Sequence, residues 1–269
     1  MRKSRLDHIL VGKGLAQNRS QAQKMIMAGL VSVNGDLVTK PSSLYDEGAL
    51  VKIINSRPYV SRGGEKLEAA LRAFGLLDLE GMVCVDIGAS TGGFTDCLLK
   101  HGARRVYAVD VGYGQLHWDL RNDPRVVVME RTNARNLTGF PEAIQLVTVD
   151  ASFISLTTLL CNVRDWFGLS GGQVVGLIKP QFEAGRREAA KGRGVIRDPL
   201  IHRRVLKVVL ESAAGMGYGI YGLTLSPLLG PKGNVEYFVH LCFPVDLQTE
   251  ITEMINAVLP VSDTGTTIS

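Results

Sequence analysis

The sequence predicts an α/β protein in which a doubly wound, parallel-type sheet follows a small α+β module. Three observations carry that expectation. From residue 82 onward, short apolar runs alternate with helix-length amphipathic spacers, the pattern of strands covered by helices on both faces. A strand-like run at 82–87 leads through a glycine-rich turn into a helical stretch at 94–100. The first 57 residues carry nine Lys/Arg against four acids, a net +5 that leaves −1 for the rest of the +4 chain. That places the positive charge in one module, where it favours an anionic polymer.

A chain of 269 residues can bury one large core plus a small appendage. Its 45% hydrophobic and 21% charged content describes a soluble globular protein. No apolar run approaches the roughly 20 residues that span a bilayer, and no signal-peptide core is present, so a cytoplasmic protein without membrane contact is expected. Cys84, Cys97, Cys161 and Cys242 are far apart in apolar runs. They read as buried, reduced thiols, with no metal site.

In chain order, Leu6, Ile9 and Leu10 share a helical face that ends at Gly12–Gly14. Asn18 or Ser20 caps a second helix with Ala22, Met25 and Ile26 inward, stopped by Gly29. Residues 30–33, Asn34-Gly35 and residues 37–39 form a hairpin signal, and residues 50–54 another strand. Residues 58–64 read as a linker stiffened by Pro58. A helix is expected over 65–74, with Lys66 in its first turn, where a cation gains nothing from the helix dipole.

The central stretch is Asp86-Ile87-Gly88-Ala89-Ser90-Thr91-Gly92-Gly93-Phe94. Glycines at 88, 92 and 93 let a backbone turn sharply and approach a ligand. A dinucleotide fingerprint would read G-x-G-x-x-G, whereas this stretch reads G-x-x-x-G-G after an aspartate. Asp110 closes the next strand, 105–110, at the distance where a carboxylate holds ribose hydroxyls. Val111 to Leu116 forms a loop suited to lying across a cofactor, and Asn133-Ala134 follows a third strand at 125–129. Strands at 146–150 and 172–179 each close on a charged residue, Asp150 and Lys179. The alternation ends with a helix at 199–215, strands at 217–225 and 236–243, a helix near 248–258 and a polar tail.

These motifs carry a resemblance. The form D-x-G-x-x-x-G-G-F is similar to motif I of class I S-adenosylmethionine-dependent methyltransferases, which implies a Rossmann-like fold and that cofactor. In such enzymes Asn133-Ala134 would border adenine and Val111 the ribose carboxylate Asp110. Two short helices followed by Val-x-Val-Asn-Gly resemble the S4-like RNA-binding domain, which implies RNA contacts from Arg5, Arg19 and Lys24. Lys66, Asp150, Lys179 and Glu236, with Ser61-Arg62-Gly63-Gly64 ahead of motif I, closely resemble the TlyA family of ribosomal-RNA methyltransferases. The resemblance spans nearly the whole chain: S4-like domain over 1–57, FtsJ-like domain over 65–260, tail over 261–269. It implies transfer of a methyl group to a ribose 2′-hydroxyl of ribosomal RNA, with cytidine the implied target and the four charged residues catalytic.

Arg62 is a further candidate for RNA contact. So are Arg186 and Arg187 in residues 183–193, which read either as a flap over RNA or as a solvated charged loop. Two rivals remain at this stage. A haemolysin would need a secretion signal or a membrane-inserting amphipathic stretch, and neither is found. A non-catalytic ribosome-assembly binder would not need the four charged residues.

Overall fold

A computed structural model describes residues 3–53, 58–245 and 250–259, the side chain of Arg186 excepted. The chain divides into two units, Met1–Pro58 and Tyr59–Ser269.

In the first unit, β1 (Lys3–Arg5) leads into α1 (Leu6–Gly12), and Asn18 caps α2 (Arg19–Met27) by accepting from Gln21 N. β2 (Val31–Val33) and β3 (Asp36–Leu37) form the expected hairpin, and β5 (Val51–Ile53) pairs with β2 on its other side. β4 (Leu44–Asp46) pairs with β1. These two strands are three residues each, with no alternation for sequence reasoning to find. Leu6, Leu10, Ala22, Ile26 and Val31 close the core without exposure.

Asp7 is also wholly buried, and its carboxylate accepts from Arg5, Arg19 and Gln23 at 2.8–3.0 Å. The Arg5 hydrogen bonds hold its pKa well below the usual carboxylate range. Arg5 and Arg19 therefore spend part of their donor set inside the unit. Lys24 stands exposed.

In the second unit seven strands form one sheet. They are β6 (Val83–Ile87), β7 (Arg105–Val109), β8 (Val126–Met129), β9 (Leu146–Val149), β10 (Gly172–Ile178), β11 (Gly219–Leu225) and β12 (Tyr237–Phe243). Their order is β11-β12-β10-β9-β6-β7-β8, with β12 alone antiparallel to both neighbours. The order reverses between β6 and β9, the switch point where open α/β sheets bind ligands. α3 (Arg62–Ala73) and α4 (Gly93–Lys100) cover one face. α6 (Leu156–Val163), α9 (Pro199–Gly215) and α10 (Ile251–Val258) belong to the core of the other. Short α5 (Trp118–Arg121), α7 (Pro180–Glu183) and α8 (Arg186–Lys191) lie in the connections. The stretch 183–193 thus contains a helical turn and a half rather than an open loop. The expected helix start near 248 and the tail fall on or beside residues outside the described ones.

The segment expected as a linker, 58–64, packs into the second unit from Tyr59 onward. Tyr59 is buried and donates to Glu68 at 2.9 Å, and Val60 N donates to Asp96. Ser61 caps α3 by accepting from Gly63 N. α3 therefore begins three residues earlier than expected, and Lys66 lies in its second turn, so the dipole argument does not apply to it. Gly64 abuts the Tyr59 ring and Gly93 abuts Ser61 so closely that a Cβ at either would collide with its neighbour. This packing of α3 on α4 overrides the poor helix propensity of Gly63-Gly64.

Candidate active site

The carboxyl ends of β6, β7 and β9 enclose a cavity of about 550 Å³. Of the expected cofactor residues, Gly88, Ser90, Asp110, Val111, Asn133 and Ala134 line it. Asp110 is fixed by accepting from Ser90 N at 2.8 Å and Gly112 N at 2.7 Å. Ile87, Val109, Ala134, Ile154 and Leu159 supply an apolar wall.

Gly88 N and Ala89 N donate to Val109 O, Ser90 N to Asp110 and Gly92 N to Ala89 O. The glycine turn therefore spends these N–H groups on protein acceptors and makes no pyrophosphate cradle. A Cβ at Gly88 would lie 2.7 Å from Asp150 O. An apolar slot beside a fixed carboxylate and amides fits an adenosine that carries no phosphate, as in S-adenosylmethionine.

The other expected cofactor residues of the motif do not line the cavity. Ala89, Gly92, Gly93 and Phe94 are buried beneath the turn, and exposed Thr91 does not reach the cavity wall. Gly92, at φ +95°, is crowded by Leu116 and Leu120.

Asp86 is likewise not on the cavity wall. Residues alternate across a strand, and Ile87 faces the cavity, so Asp86 faces α4 and the opposite core. It accepts from Thr95 Oγ1 at 2.7 Å and Thr148 Oγ1 at 3.3 Å. Complete burial pushes its pKa up to about 7.

A folded-state pKa above the unfolded value of 3.8 gives stability that is full below pH ~4 and lost as pH rises through about 7. Asp86→Asn removes that loss. Its stability advantage over wild type is expected to grow by about 1.4 kcal/mol per pH unit from pH 5 to 7 and to level off above. Thermal or urea unfolding across pH 5–9 checks this, and a constant difference would show that Asp86 is ionised throughout.

The four expected catalytic residues form two ion pairs at this sheet edge. Lys179, one residue past β10, is 7% exposed and places Nζ 2.5 Å from Asp150 Oδ1, with Ser152 Oγ at 3.3 Å. Lys66 Nζ lies 2.7 Å from Glu236 Oε2, whose side chain is fully buried. The antiparallel register Ile178↔Tyr237 carries Lys179 and Glu236 to neighbouring positions. Asp150 also lines the cavity, joining the charged group to the cofactor slot.

Arg62 and Arg187 are exposed, while the Arg186 side chain lies outside the described residues. Asn234 ties the segment after α8 to the loop ahead of β12, donating to Gly194 O and accepting from Ile196 N. Among the described residues no cluster suits a metal ion.

Sequence reasoning missed several residues. Phe153 is 89% exposed at φ +65°, lines the cavity, and lies 4.9 Å from the Phe182 ring centroid. Thr132, Arg135 and Gln115 complete the wall, and Gln181 donates to Glu236. Their only signal was proximity to strand ends already marked by Asp110, Asp150 and Lys179.

Comparison with known proteins places the chain in a family. The FtsJ-like methyltransferase family matches residues 59–243, and the S4 domain matches residues 4–51. The chain is 49% identical to the 16S/23S rRNA (cytidine-2′-O)-methyltransferase TlyA of Mycobacterium tuberculosis, over 89% of this chain and 90% of that protein. It is 44% identical to Hemolysin A of Brachyspira hyodysenteriae, over 88% and 98%. A solved structure named as a hemolysin, from Streptococcus thermophilus, superposes with a TM-score of 0.70 at 43% identity, covering 96% of each chain. The chain belongs to the TlyA family, FtsJ-like methyltransferases that carry an S4 domain ahead of the catalytic fold.

Proposed function

We propose that this protein transfers a methyl group from S-adenosylmethionine to the ribose 2′-hydroxyl of a cytidine in ribosomal RNA. The observation that carries the reading is Asp150, which lines the cofactor cavity and holds Lys179 at 2.5 Å. A proton-handling pair thus stands next to where the methyl donor fits. Such a substrate implies work in the cytoplasm, on ribosomal subunits or their RNA. No helix among the described residues is long and apolar enough to cross a membrane.

When bound, the cofactor supplies a methyl group on a sulfonium, already a good leaving group. The chain's residues then have to align and deprotonate the attacking oxygen. Asp110 would hold the ribose of the cofactor, and the apolar wall its adenine. Lys179, held by Asp150, meets the 2′-oxygen and stabilises the charge that develops there, and the proton passes to the Asp150–Lys179 pair. Glu236 keeps Lys66 beside them as a second positive charge. Phe153, backed by Phe182, offers an exposed face on which the base of the target nucleotide stacks. Arg5, Arg19, Lys24, Arg62, Arg186 and Arg187 would contact RNA phosphates.

The test incubates the protein and S-adenosylmethionine with purified small and large ribosomal subunits, followed by nuclease mapping and mass spectrometry. One added methyl on a cytidine ribose is expected, protecting that site from alkaline cleavage. A methylated base, or no transfer to either subunit, would overturn the proposal.

A further inference from the structure

We propose that Gln181 is a positioning residue of methyl transfer, acting through Glu236 on Lys66. The proposal rests on reading Lys66, Asp150, Lys179 and Glu236 as the catalytic group. Gln181 lies two residues beyond Lys179, in the single turn of α7, and is 8% exposed. Its Nε2 donates to Glu236 Oε1 at 3.1 Å, while Glu236 Oε2 accepts from Lys66 Nζ at 2.7 Å. Each carboxylate oxygen therefore has its own donor, and the group cannot rotate without breaking both contacts.

The chemistry of the holder matters. A second cation at position 181 would compete with Lys66 for the same negative charge. A carboxylate would repel it. A neutral amide fixes the carboxylate and leaves its charge directed at Lys66. Strand register sets Lys179 beside Glu236, so an orientation fixed at Glu236 is an orientation fixed next to the reacting pair.

Packing does not account for an amide here. Gln181 Oε1 is buried with no protein donor in reach, a cost that leucine or methionine of similar volume would avoid. Gly230 already presses on the Glu236 carboxylate, where a Cβ would collide with it. What the amide adds is the N–H bond to Oε1. The same five-residue run, Lys179-Pro180-Gln181-Phe182-Glu183, also backs Phe153 through Phe182 and caps α6 through Glu183, which accepts from Ser155 Oγ and Leu156 N. Gln181 is its contribution to the charged group.

The test measures steady-state and single-turnover methylation of ribosomal subunits by full-length Gln181→Leu, with Lys179→Ala in parallel. For Gln181→Leu, kcat is expected to fall about 10- to 100-fold, the scale of a misplaced reacting group. The KM for RNA and the calorimetric affinity for S-adenosylmethionine should stay within about twofold. In a Glu236→Gln background the same substitution should cost nothing further, because its only route is through that carboxylate.

A wild-type kcat, a loss that appears in KM, or an equal loss in the Glu236→Gln background overturns the assignment. If Gln181→Leu lacks a cooperative melting transition, Gln181→Asn decides, since its amide is one methylene too short to reach Oε1. The same kcat loss is expected there, and a wild-type kcat overturns the proposal. Activity retained in Lys179→Ala would instead sink the reading of the catalytic group.

Discussion

Lys179→Ala is expected to lower the single-turnover rate of methyl transfer by about 10²–10⁴-fold, the range for loss of a group that moves a proton or stabilises developing charge. Lys179 follows β10 in a position where the strand core, Val174, Val175, Leu177 and Ile178, is complete without it. Its removal leaves Asp150 Oδ1, a buried atom, without its ammonium partner, while the rest of that side chain is 26% exposed and reached by water. A stability loss of about 1–3 kcal/mol is expected, small beside the effect on rate. Binding of S-adenosylmethionine should survive, because the apolar wall and Asp110 are untouched. Calorimetry and a melting curve measured beside the rate separate these effects. Lys179→Arg is not expected to rescue, since a planar fork replaces a point charge in a nearly closed site. Near-normal transfer by Lys179→Ala would require another group to handle the 2′-hydroxyl proton.

The second large effect is on RNA binding. Deleting residues 1–58 removes a segment of net charge +5 and the whole S4 unit, while Tyr59, the Ser61 cap and all four charged residues stay. The remaining unit is of ordinary domain size and has its own core on both faces of the sheet. It should bind S-adenosylmethionine as the full chain does. Its affinity for ribosomal RNA should fall at least about tenfold, with a log–log salt slope shallower by roughly 0.7–0.9 for each phosphate that the protein no longer neutralises. Filter binding or fluorescence anisotropy across a salt series checks both quantities. An unchanged slope would place RNA recognition in the second unit. A cut after residue 64 should behave quite differently. It removes Tyr59 and the first turn of α3, and Lys66 is expected to lose its place.

The fold was legible because buried parallel strands read as near-continuous apolar runs, and those at 82–87, 105–110, 146–150 and 172–179 end within a residue of the observed β6, β7, β9 and β10. The charged group was legible because Asp150 and Lys179 sit at strand ends that topology gathers at one edge. What stayed hidden depends on which way a side chain points and on what touches it. Asp86 and Ile87 are neighbours in sequence, yet one faces the core beneath α4 and the other the cofactor slot. Arg62-Gly63-Gly64 looks like linker because helix propensity is local, whereas its packing against Gly93 is not. Gln181 shows no periodicity, and only the return of β12 brings Glu236 to it.

The close approach of Gly63 and Gly64 to Tyr59, Ser61 and Gly93 bears on how inactivating variation in this protein should distribute. A mutational scan scored on methylation would find a second dense patch of intolerance at 59–61, 63–64 and 92–93, positions that do not line the cofactor cavity and do not include the proposed RNA contact Arg62. Alanine at Gly64 or Gly93 would look as damaging as a change at Lys66, because either pushes α3 off α4 and carries Lys66 with it. A variant at these glycines would therefore be a folding defect with a catalytic phenotype, its melting temperature falling together with its methylation rate, whereas loss at Lys179 would act chiefly on the rate.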